Sequence, residues 1–116
     1  MILLLKMKNE PKSIFIDVFG DYPLTRVLDF LLENDIFDYS KTQIAELSGV
    51  SFNTLETLWD NLLKYNMIVP TRKIGNSQMY MLNKKSPIVQ KLMEIDKKLM
   101  LRSMAEPEGV EMPIPA

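Results

Sequence analysis

At 116 residues, with 47% hydrophobic and 25% charged side chains, the chain has the size and make-up of one globular domain with a single core. Cysteine and histidine are both absent, which excludes thiol redox sensing, Cys or His metal sites and catalysis built on a histidine base or a cysteine nucleophile, and no cofactor is expected. Fourteen basic side chains against fifteen acidic ones, a net charge of −1, leave no overall basic balance to attract nucleic acid on charge alone.

The chain opens on Met1-Ile2-Leu3-Leu4-Leu5, an apolar run far shorter than the roughly 20 residues that span a bilayer and shorter than a signal h-region. Residues 1–12 are therefore expected to form an N-terminal extension with no membrane span, whose apolar run is a small contact surface, the alternatives being a strand or translation from a start upstream of Met7. The lack of disulfide-forming cysteine fits a cytoplasmic chain.

From Ser13 onward, Ile14, Phe15, Val18 and Phe19 recur at helical spacing and are closed by Gly20. Asp21 before Pro23 is a helix-start signature. Leu24, Val27, Leu28, Leu31 and Leu32 then form a stripe up to Asn34, with Arg26, Asp29 and Glu33 on the expected solvated face. All of the apolar positions in these two helices are expected in the core. Asp38 and Tyr39 suit a short strand.

Ser40 to Leu63 reads as two helices joined by a three-residue corner, Gly49-Val50-Ser51. Ser40 suits an N-cap, Ile44, Ala45 and Leu47 face inward, and Lys41, Gln43 and Glu46 stay wet. Gly49 stops the first helix where a positive φ costs glycine nothing, Val50 plugs the angle, and Ser51 caps the second helix. In that helix Leu55, Leu58, Trp59, Leu62 and Leu63 make one apolar stripe, while Phe52, Asn53, Glu56, Thr57, Asp60 and Asn61 occupy the other face. A pair of helices set at a steep angle by such a corner can present its second helix to a DNA groove. It can equally be an ordinary helical hairpin.

A hairpin pattern comes next along the chain. Met67 to Ile74 is β-rich, Gly75-Asn76-Ser77 signals a turn, and Gln78 to Leu82 is a second alternating run. Pro70 cannot donate to a ladder, so it belongs at a strand edge or a bulge. The basic linker Asn83 to Pro87 leads into a helix from about Pro87 to Ser103, with Ile88, Leu92, Ile95 and Leu99 spaced 4, 3, 4 as in a two-helix seam. Val89, Met93 and Met100 widen that stripe. The proline- and acid-rich end has no periodicity and is expected to be disordered.

The run from Phe19 to Leu82 resembles the winged helix-turn-helix regulators of archaea and bacteria, of the arsenic-repressor and multiple-antibiotic-resistance-regulator type. The pieces that carry the likeness are FGDYPLTRVLDFLLEN, KTQIAELSGVSFNTLETLWDNLLKYNMIVPTRKIG and a strand ending in YMLN. The resemblance implies a mainly α fold with a small β-hairpin (α+β), a winged helix-turn-helix with an added C-terminal helix. The expected division is an extension at 1–12, the winged domain at 13–85, a dimerisation helix at 86–104 and a disordered tail at 105–116. It implies double-stranded DNA as partner, with Ser51, Phe52, Asn53, Thr54 and Thr57 reading bases and Arg72, Lys73, Asn76 and Ser77 of the wing on the backbone or minor groove. Lys41 joins them as an expected DNA contact. The resemblance further implies a homodimer through Ile88, Leu92, Ile95 and Leu99, which would set half-site spacing on a palindromic operator; the alternative is that this helix packs back on the chain's own core. It leaves room for a small-molecule effector between dimer helices and core, although no convergent polar set names one. The chain departs from arsenic-repressor relatives that sense metal through cysteine.

Charge runs against part of this reading. Between Asp38 and Lys85 six basic side chains face four acidic ones, and Glu56 and Asp60 lie on the outward side of the expected reading helix. A winged helix that binds protein instead of DNA is the alternative. No nucleophile stands beside a base and no Gly-rich phosphate loop occurs, so enzymatic activity is not expected.

Overall fold

The computed structural model describes residues 13–105; the expected contact surface at 1–12 and the tail from 106 onward lie outside them. The elements run α1 (Ile14–Phe19), α2 (Pro23–Glu33), β1 (Tyr39–Ser40), α3 (Lys41–Ser48), α4 (Phe52–Lys64), β2 (Ile68–Ile74), β3 (Ser77–Leu82) and α5 (Pro87–Ala105). The three strands form one antiparallel sheet in the order β1-β3-β2. The fold is thus mainly α with a small sheet.

Local chemistry sets the helix ends. Ser13 Oγ accepts from the Ile16 amide at 3.1 Å to start α1, and Gly20 ends it at φ 99°. Proline opens α2, where Thr25 Oγ1 accepts from the Tyr22 amide at 2.9 Å. At α3 the cap is reciprocal: Ser40 Oγ accepts from the Gln43 amide at 3.2 Å while the Ser40 amide donates to Gln43 Oε1 at 2.9 Å. Gly49 takes the left-handed conformation at φ 75°, and the Val50 amide returns to the Ala45 carbonyl at 2.9 Å, which turns the chain into the Ser51-capped α4.

The hairpin is as tight as its turn signal requires. Ile74 pairs with Ser77 across a two-residue turn in which Gly75 has φ 61°. Pro70 lies on the edge strand beside a bulge that falls between Pro70 and Lys73, so its missing N–H interrupts no interior ladder.

The core gathers Val27, Leu28 and Leu31 of α2, Ile44 of α3, Leu55, Trp59 and Leu62 of α4, Ile68 and Leu82 of the hairpin, and Val89 of α5. Fully buried side chains such as Leu55 and Ile44 contribute about 1.5–3 kcal/mol each. Val50 is buried at the corner, as its plugging role requires, whereas Leu47 is only half-buried.

Several apolar positions expected inside are exposed. In α1 the buried residues are Phe15 and Ile16, and Val18 and Phe19 face out, because a helix of six residues is too short to bury more than one side. Phe19 instead rests its ring on Phe15 at 4.8 Å. Leu24, in the first turn of α2, lies beyond the core edge. Asp29 departs in the other direction. It is half-buried, its Oδ1 has no hydrogen-bond partner, and burial raises its carboxyl above the ordinary range; a hydrogen bond from Ser13 lowers it and the nearby Asp96 charge raises it further.

Helix α5 docks by its first half. Val89 is fully buried and Leu92 and Met93 pack on the core, while Met100, Leu101 and Met104 are exposed beyond it.

Candidate nucleic-acid interface

Helix α4 has one buried edge, Leu55, Trp59 and Leu62, and the face turned farthest from it carries Asn53, Thr57, Asp60 and Lys64, all exposed at spacings of 4, 3 and 4. Of the expected base-reading residues, Ser51, Phe52, Asn53 and Thr57 are exposed and Thr54 is half-buried. Three hydroxyls in this set are committed to the helix itself. Ser51 Oγ accepts from the Thr54 amide at 3.1 Å and donates to Thr54 Oγ1 at 2.8 Å, and Thr57 Oγ1 donates to the Thr54 carbonyl at 2.6 Å. The Asn53 amide has no such commitment among the described residues, so bidentate reading capacity concentrates there.

Phe52 and Glu56 lie at the edge of that face and enclose Lys41, the first residue of α3. Lys41 Nζ stands 2.7 Å from Glu56 Oε1, 5.8 Å from the Phe52 ring centre and 5.2 Å from that of Trp59. The ammonium expected to meet a phosphate is therefore already held by a carboxylate and two rings.

On the hairpin, Arg72, Lys73, Asn76 and Ser77 are all exposed, as is Ile74. Arg72 reaches back across β3 to Asp38, donating from Nε at 2.9 Å and from Nη2 at 3.1 Å, and Thr71 Oγ1 donates to the same carboxylate at 2.6 Å. The Arg72 and Thr71 hydrogen bonds hold the Asp38 carboxyl down to about 2, and the pairing raises Arg72 further above its ordinary value. Gln78 Nε2 donates to the Arg72 carbonyl at 3.1 Å and ties down the bulged backbone. Lys73 has no acidic partner among the described residues. Asp38 and Glu56 were not singled out as partners of these cations in the sequence, and neither pair has the i,i+4 spacing that would have revealed it.

No protein-family model matches the chain, and no curated protein matches it in sequence. Solved structures do match in shape. The AntR antimony-specific transcriptional repressor superposes with a TM-score of 0.55 over 80% of this chain and 79% of its own, at 17% identity. Rv0081 of M. tuberculosis superposes with a TM-score of 0.51 over 88% of this chain and 93% of its own, at 21% identity.

The fold is a winged helix-turn-helix.

In winged-helix terms, α3 and α4 are the helix pair and β2–β3 is the wing. Of the four seam residues expected on α5, Ile88 and Ile95 are exposed by 54% and 40%, Leu92 packs partly on the chain's own core, and Leu99 is half-buried. A groove of about 560 Å³ runs along the other flank of α5, with Leu32, Met93, Met100 and Met104 in its lining and the Asp35–Lys84 pair at one end. Among the described residues no three acidic side chains gather as metal ligands would, and no helix is long and apolar enough to cross a membrane.

Proposed function

We propose that the chain is a transcriptional regulator of the cytoplasm that binds double-stranded DNA sequence-specifically as a homodimer. The observation that carries this reading is the exposed polar face of α4, with Asn53 and Thr57 at its centre, on a winged helix whose hairpin carries Lys73, without an acidic partner among the described residues, and Arg72, 64% exposed. In this reading α4 enters the major groove. Asn53 pairs with adenine, Phe52 meets a thymine methyl, and Ser51, Thr54 and Thr57 offer hydroxyl oxygens to base edges. Arg72, Lys73, Asn76 and Ser77 of the wing, with Lys41, contact the backbone. Ile88 and Ile95 of one α5 pair with the same residues of a second copy, flanked by Leu92 and Leu99, and the groove beside Met93 has the volume of a small-molecule effector site.

Duplex binding measured at several salt concentrations tests this. The wild type binds with a steep salt dependence, and Arg72→Ala with Lys73→Ala lowers both the affinity and the log–log slope, by about 0.9 for each phosphate no longer neutralised. Unchanged affinity and slope in that double variant refute the wing role.

A second reading, a winged helix that binds protein, draws support from the neutralised cations, from Asp60 on the outer face of α4, and from Ile36 and Phe37, exposed by 65% and 56% beside β1. A stable protein complex, with no duplex binding even at low salt, would favour it.

A further inference from the structure

Both cations that anchor the proposed interface through an ion pair are held by carboxylates of the chain itself. These are Arg72 by Asp38, from the residue just before β1, and Lys41 by Glu56, from the edge of α4. The two pairs have different geometries. Asp38 takes two guanidinium donors and the Thr71 hydroxyl, and its side chain is only 13% exposed, while Arg72 remains 64% exposed. Glu56 is itself 48% exposed and grips a Lys41 ammonium that is 27% exposed and backed by two aromatic rings. In each case the acid supplies, from within the fold, the anionic oxygens that a DNA phosphate would bring.

We infer that Asp38 and Glu56 set the affinity of this winged helix for duplex DNA, acting as internal substitutes for phosphate that hold Arg72 and Lys41 in place and cancel their long-range attraction. The inference rests on the DNA-binding reading and adds regulation to it. A guanidinium has five donors. With Nε and one Nη2 hydrogen on Asp38, the remaining Arg72 hydrogens still point to solvent and can meet a phosphate, but the pair as a whole carries no net charge. Removing the carboxylate therefore returns one positive charge to the wing without removing the residue that makes the contact. The same holds for Lys41 when Glu56 loses its charge. Because the pairs share no residue and join different parts of the fold, the residue before β1 to β2 in one case and α3 to α4 in the other, their effects add.

The test is duplex binding by the full chain over a series of salt concentrations, using a pool of random-sequence duplexes as probe. Asp38→Asn and Glu56→Gln keep side-chain size and hydrogen-bonding oxygen. Asp17→Asn, on the exposed side of α1, serves as a control for net charge, since α1 packs chiefly on α2 and α5. Each interface variant is expected to bind severalfold more tightly at low salt, with a slope steeper by about one, and the Asp17 variant to match the wild type. Glu56→Gln alone decides the matter if loss of the Thr71 and Arg72 hydrogen bonds unfolds the Asp38 variant. A wild type that binds alongside interface variants that bind no better overturns the inference and leaves the DNA reading intact. A gain equal to that of Asp17→Asn also overturns it. Failure of the wild type and every variant to bind overturns both, whereas binding that first emerges in the variants supports the inference outright.

Discussion

Arg26 Nη1 donates to the carbonyl of Gly49 at 3.1 Å, joining the second helix of the chain to the corner of the helix pair. The same guanidinium grips Asp21 through Nε at 2.6 Å and Nη2 at 3.1 Å, so one side chain bridges the start of α2 and the end of α3. Gly49 sits at φ 75°, where its carbonyl has left the α3 ladder. Arg26→Ala is expected to lower stability by about 1 kcal/mol, a charged hydrogen bond discounted for an exposed guanidinium. Gly49→Ala should cost about as much through backbone strain alone. Chemical denaturation of both variants checks this, and an Arg26→Ala variant as stable as wild type would show that the bridge contributes nothing.

Asp38 on one side and Asp29 and Asp96 on the other have opposite pH dependence. Asp38 is held down to about 2 from an ordinary 3.8 by its hydrogen bonds to Arg72 and Thr71, so its pairing contributes fully above 3.8 and is lost as the pH falls through about 2. Asp29 and Asp96 are raised, both chiefly by burial. Their contribution is full below 3.8 and declines as the pH rises through their raised values. Carboxyl titration by NMR should therefore find Asp38 the lowest of the three. Asp29→Asn should raise Tm near neutral pH and lose that advantage in acid, and an Asp29→Asn variant whose Tm difference from wild type does not vary with pH contradicts the assignment.

Helix α5 separates packing from pairing. Val89 is fully buried, and Val89→Ala is expected to cost about 2 kcal/mol for two missing methyl groups and the space they leave. Ile95 is 40% exposed, so Ile95→Ser gives up only part of a side chain's burial within one copy and should cost the single chain less than Val89→Ala, about 1 kcal/mol or below. If α5 pairs as proposed, sedimentation should show Ile95→Ser shifted toward monomer. An unchanged dimer in that variant, or a wild type that is already monomeric, rules the seam out.

The helix pair and the hairpin were legible because their signals are local. A capping Ser40 lies three residues from Gln43, Gly49 follows the last inward residue of α3, and a Gly75-Asn76 turn separates two β-rich runs. Exposure was harder to read where elements are short or lie at the rim. Val18, Phe19 and Leu24 have the spacing of core residues but remain exposed, with no element among the described residues covering them. Asp29 looked solvated by helical position and is half-buried beside α5, an outcome of tertiary packing that no window on α2 contains. The seam on α5 divides for a similar reason. A 4, 3, 4 spacing records which residues share a stripe, not how much of that stripe the chain's own core occupies. At the candidate interface the residue types were readable but their partners were not. Asp38 and Arg72 are 34 positions apart, Lys41 and Glu56 are 15 apart, and only the folded sheet and corner bring them together.

Selection of bound duplexes from a random DNA pool, repeated with Asn53→Ala, addresses base reading by the outer face of α4 most directly. Wild type should recover a palindromic motif whose half-sites lie about one helical turn apart, and Asn53→Ala should lose preference at one position of each half-site while retaining affinity for the backbone. Recovery of no motif at either low or moderate salt, or of the same motif by Asn53→Ala, would contradict it.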